Sequence, residues 1–87
     1  MTDVSLRMGD SPTSHYVTVG DLTLLFSYET VVAFKSVHGP WVVSENVWSN
    51  TTGKHLNETG VPVRSRVRYD DFRKRLAGVL SGVEVGL

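Results

Sequence analysis

Cysteine is absent from this 87-residue chain. Disulfides and thiolate metal sites are therefore excluded as staples, and the fold must rest on packing and hydrogen bonds. No apolar run approaches the roughly 18 residues that would suggest a membrane span. Net charge is zero, so the overall basic excess of many dedicated nucleic-acid binders is missing. Familiar catalytic and nucleotide-binding patterns are missing as well: there is no GxGxxG, no P-loop, no GxSxG and no HExxH. His15, His38 and His55 are not spaced with one another as a local metal pair would be. A non-enzymatic protein without metal or cofactor is expected. Residues Met1 to Met8 show neither a basic n-region nor a continuous apolar h-region, so no signal peptide is expected and the chain reads as cytoplasmic.

What is present fits one small domain. The length suits a single core, and 40% hydrophobic with 21% charged residues is ordinary for a globular chain. Residues 1–14 are rich in Ser, Thr, Asp, Gly and Pro. They read as a flexible N-terminal arm, with a short strand at Val4–Met8, ahead of a domain over residues 15–87. Gly20-Asp21 is a two-residue hairpin signal between Val17-Thr18-Val19 and Leu22-Thr23-Leu24. Pairing Val19 with Leu22 gathers Val17, Val19, Leu22, Leu24 and Phe26 on one face, and a one-residue slip would scatter them. Val31 to Lys35 and Trp41 to Glu45 read as further strands, with Gly39-Pro40 turning the chain between them.

Two helices follow. Ser49 as N-cap and Gly60 just past the end bracket a helix of about 50–58, with Trp48, Thr52 and Leu56 on one stripe. Gly53 would let its backbone approach a strand closely. Val61-Pro62-Val63 then reads as an edge strand or linker, because Pro62 has no N–H. Phe72, Leu76, Val79, Leu80 and Val83 define an amphipathic helix over about 69–82. Asp70 and Asp71 in its first turn suit the macrodipole and point apart, unlike a catalytic carboxylate pair. The expected fold class is α+β: an antiparallel meander of four to five strands with two helices packed on one face.

The segment Trp48-Ser49-Asn50-Thr51-Thr52-Gly53-Lys54-His55-Leu56-Asn57 packs many hydrogen-bonding side chains around one aromatic and one aliphatic. It is either a well-capped, partly exposed helix or a contact surface. Together with Phe26-Ser27-Tyr28-Glu29-Thr30-Val31-Val32-Ala33-Phe34 and the Asp70-Asp71-Phe72 helix, it resembles a family of small proteins of unknown role encoded by tailed phages and related prokaryotic elements. The resemblance spans about residues 22–80. The usual Ser or Thr cap before the last helix is missing, since Arg68 stands there. The resemblance implies a fold and a phage origin, and with that origin a host-cell cytoplasm, not a reaction.

Two function classes follow. In the first, the chain is an accessory protein that binds a host or phage protein through Trp48, Asn50, Thr51, Lys54, His55 and Asn57. The competing reading of that block is structural: Ser49 caps, Thr51 and Thr52 bond nearby backbone, and His55 bonds to the sheet. In the second, the chain binds nucleic acid. Residues 54–87 carry seven basic against four acidic side chains, while residues 1–53 carry two against five. Arg64, Arg66 and Arg68 alternate with Val63, Ser65 and Val67. In an extended segment they would form a phosphate-binding row that Arg73 and Lys74 could lengthen, or a solvated edge resistant to aggregation, or a site for an acidic protein. Open sheet edges also make a homodimer an expectation.

Overall fold

The computed structural model describes residues 4–85. Five strands form one antiparallel sheet in chain order: β1 Val4–Met8, β2 Ser14–Val19, β3 Leu22–Ser27, β4 Thr30–Ser36 and β5 Val42–Val43. Two helices follow, α1 Asn50–Asn57 and α2 Tyr69–Val85. The fold is thus an α+β meander, and the short strand expected at Val4–Met8 is the first strand of the sheet. The first three residues of the expected arm lie outside the described residues.

The β2–β3 hairpin takes the register its sequence specifies, from Val19 opposite Leu22 to His15 opposite Phe26. Gly20, at φ +57°, supplies the left-handed conformation that a primed turn needs. A bulge between Leu25 and Phe26 interrupts the β3–β4 ladder: Leu25 pairs with Ala33 and Phe26 with Val31. Val32 is the extra residue, and it joins Ala33 in the same buried cluster.

The fourth strand expected over Trp41 to Glu45 is reduced to Val42–Val43. Beyond it the chain pairs with a different segment. Val67 donates to Val43 O at 2.7 Å, and Glu45 donates to Val67 O at 2.7 Å. Residues 61–63 form no strand either. Pro62 leads into a 3-10 turn at Val63–Ser65, closed by Ser65 N donating to Pro62 O.

The helix ends follow local chemistry. Ser49 is extended, at φ −145° and ψ 171°, and its side chain accepts from Thr52 N. Gly60, at φ +78°, turns the chain out of α1. At the start of α2, where a Ser or Thr cap is missing, a remote side chain takes its place: Glu45 Oε2 accepts from Tyr69 N at 2.8 Å.

One expectation is corrected. The helices lie on opposite faces of the sheet. Leu56 of α1 packs with Tyr16, Leu25, Val32, Ala33 and Val43. Phe72 of α2 packs with Leu22, Leu24 and Phe34, flanked by Leu76, Val79 and Leu80. The side chain of Val83 lies outside the described residues. Side chains alternate along a strand, so neighbours such as Leu24 and Leu25 serve different faces. The hairpin has two apolar faces, and each takes one helix.

Candidate functional site

Thr52, His55 and Leu56 turn inward from α1. His55 is only 1% exposed. Its Nδ1 is hydrogen-bonded to Ser27 Oγ at 2.7 Å, and its Nε2 to Thr13 Oγ1 at 3.0 Å and Ser11 Oγ at 3.3 Å. Ser27 Oγ also pairs with Thr52 Oγ1 at 2.9 Å. A hydroxyl both donates and accepts, so each ring nitrogen is satisfied whichever carries the proton. No buried side-chain nitrogen or oxygen among the described residues lacks a partner. The imidazole therefore ties α1 to the end of β3 and to the β1–β2 loop.

The turn beside this network is conformationally unusual. Tyr28 has φ +56°, a region that aromatic residues seldom occupy. Its N–H donates to Thr13 O at 2.8 Å, and its ring lies 5.9 Å from the imidazole. A second tie lies at the far end of α1. Glu58 Oε1 accepts from Tyr16 Oη at 2.9 Å and from Asp10 N at 3.2 Å. Burial, then the bond to Glu58 and its negative charge, push the Tyr16 phenol up to about 12, with Arg7 acting the other way. Arg7 sits over the Tyr16 ring, 4.2 Å from its centroid. Gly9 is packed against the Ser14 and Glu58 side chains, where a Cβ would collide.

The outward side of α1 is different. Asn50, Thr51, Lys54 and Asn57 are all exposed. Open clefts flank them. One is lined by Asp10, Ser11, Thr51, Lys54, Asn57 and Glu58, with His55 at its base. The other is lined by Glu45, Asn46, Asn50, Gly53, Lys54 and Arg66, among others. Gly53 admits the Asn46 side chain and not a strand: an added Cβ would lie 3.0 Å from Asn46 Nδ2. Trp48 is half-buried, edge-on to Tyr69 with centroids 5.4 Å apart. Of the six residues singled out by sequence, four share the outward face, Trp48 braces the start of α1 against α2, and His55 faces the core. The hydroxyls of Ser11, Thr13 and Ser27 were not foreseen. Single serines and threonines 28 to 44 positions from the histidine they bond carry no local signal.

The arginine row does not form. The 3-10 turn breaks the extended geometry it required. Arg66 folds back instead: Nη2 donates to Asn57 Oδ1 at 2.8 Å, and Nε and Nη2 donate to Val61 O. Arg64 and Arg68 are exposed, while the Arg73 guanidinium lies over the Tyr69 ring at 5.7 Å and Lys74 is exposed on α2. Among the described residues, no group of three or more His, Cys, Asp or Glu side chains is placed to hold a metal ion, and no helix is long and apolar enough to cross a membrane.

The model of a "Family of unknown function (DUF8033)" matches residues 5–74, from β1 into the second turn of α2, and the chain belongs to that family. Neither the curated proteins nor the solved structures contain a match.

Proposed function

We propose that this member of a family of unknown function is a non-enzymatic accessory protein that binds another protein through the outward face of α1. One observation carries the reading. The inward half of a short helix is consumed by packing and hydrogen bonds, while Asn50, Thr51, Lys54 and Asn57 stand exposed between two clefts. The helix has weak intrinsic propensity, with Thr51, Thr52, Gly53 and Asn57 in eight residues. Surface positions that served only the helix would favour stronger helix formers. We read the resemblance of the Trp48–Asn57 block to small phage proteins as support for a phage-encoded protein that works in a host cytoplasm on a host or phage protein. Nucleic-acid binding draws less support, because the extended arginine row on which it stood is replaced by a turn.

Capture from host lysate, with nuclease present, compares the wild type with Asn50→Ala/Thr51→Ala/Lys54→Ala. Asn57 is left intact because it accepts from Arg66. The variant should lose the captured protein while its unfolding free energy stays within about 0.5 kcal/mol per exposed substitution. A variant that folds normally and retains every partner would overturn the reading.

A further inference from the structure

The two edges of the sheet are treated differently. At β5 the edge is covered: Val67 runs alongside, exchanging backbone hydrogen bonds with Val43 and Glu45. Among the described residues, no strand pairs with the outer side of β1. Proteins usually blunt such an edge with proline, a bulge, a charge or a covering segment. β1 has no proline, and its pairing with β2 is continuous over all five residues. Its one charge, Arg7, is drawn over the Tyr16 ring. All five β1 residues are exposed.

The edge is also apolar on one face. Val4, Leu6 and Met8 are 66%, 69% and 56% exposed. They lie on the α2 face, in register with Val19, Val17 and His15. The packing of α2 reaches β3, β4 and β5 through Leu22, Phe34 and Val42. It leaves the β1–β2 end of this face uncovered, with a largely apolar groove lined by Leu6, His15, Val17, Phe26, Tyr28 and Glu29. A bare backbone ladder beside a bare apolar strip specifies a strand as occupant, with alternate apolar residues on one side.

We infer that this occupant is β1 of a second copy of the chain, paired antiparallel about a two-fold axis at Leu6. The sequence Val4-Ser5-Leu6-Arg7-Met8 is self-complementary in that register. Val4 faces Met8 of the second copy, and Leu6 faces Leu6, so six apolar side chains become contiguous on one face. On the other face Arg7 falls opposite Ser5, and no like charges meet. Shifting the axis to Arg7 would set the two arginines opposite each other, which is unfavourable. The product is a continuous ten-stranded sheet with an isologous interface. It leaves the outward face of α1 untouched and stands apart from the function proposed for it.

Sedimentation equilibrium across a concentration series reads the association directly, and the chain has no cysteine, so single thiols report on contacts without background. The wild type should sediment as a dimer. Leu6→Lys, which sets two ammonium groups face to face, should weaken association at least about tenfold with an unchanged circular dichroism spectrum. Directly opposed residues have Cα atoms about 4.5–5.5 Å apart, inside the disulfide range. Leu6→Cys should therefore form a covalent dimer under mild oxidation, where the exposed Val37→Cys does not. A wild type monomeric into the hundred-micromolar range overturns the inference. So does a Leu6→Lys dimer as tight as wild type, or a Leu6→Cys crosslink no faster than Val37→Cys. If Leu6→Lys misfolds, the Leu6→Cys and Val37→Cys pair decides alone.

Discussion

At the scale of single residues, α1 is anchored by two polar ties that an apolar core would not supply. One is His55, whose two ring nitrogens reach hydroxyls from the β1–β2 loop and from β3. The other is Tyr16, whose phenol donates to Glu58. Unsatisfied buried polar groups are costly, so such ties fix one arrangement of the helix against all others. The Tyr16 tie has a pH signature. Its phenol is raised from 10.0 to about 12, so the folded protein holds this proton more tightly than the unfolded chain does. The associated stability is fully present below pH 10 and is lost as pH rises from there toward about 12. Urea unfolding across that window should show the decline in the wild type and a smaller decline in Tyr16→Phe, which has no phenol proton to lose. Equal declines would place the alkaline sensitivity elsewhere.

At the scale of elements, each helix is fixed by the sheet face beneath it more than by its own propensity. Phe72 is 1% exposed and tilts against Phe34 with centroids 5.5 Å apart. Phe72→Ala should cost about 3–5 kcal/mol in chemical unfolding. A near-wild-type value would mean that α2 does not rest on β3 and β4. The legibility of each element follows the range of its signal. The β2–β3 hairpin was readable to the residue, because period-two apolarity and Gly20-Asp21 are local. So were the ends of α1, through Ser49 and Gly60, and the stripe of α2. The second apolar face of the hairpin was not. It rests on Tyr16 and Leu25, set among Thr18, Thr23, Ser14 and Ser27, and on Ala33 brought inward across a bulge. The arginine row failed for a related reason. Alternation of Arg and Val reads as extended chain, but the segment coils after Pro62 and Arg66 finds acceptors in Asn57 and Val61. The partners of His55 were invisible because only the folded sheet brings them together.

At the scale of the whole molecule, the decisive arrangement is one sheet between two helices. It covers the α1 face over β2 to β5 through Leu56, with Trp41, Trp48 and Val61 packed beside it. It closes the α2 face only over β3 to β5, which leaves the apolar strip on β1 and β2. It also sends the Asn50–Lys54 surface of α1 and the Arg73–Lys74 surface of α2 to opposite sides. The protein-binding face proposed on α1 and the self-association edge inferred on β1 can then work without excluding each other. Both proposed surfaces depend on that separation of sides. It is measured by the distance between spin labels in the Lys54→Cys/Lys74→Cys variant, diluted with unlabelled chain so that only pairs within one molecule contribute. Two outward-facing labels on helices either side of a sheet should give a main distance beyond about 25 Å. Helices side by side on one face would give about 10–20 Å, and that result would contradict the arrangement and the division of surfaces built on it.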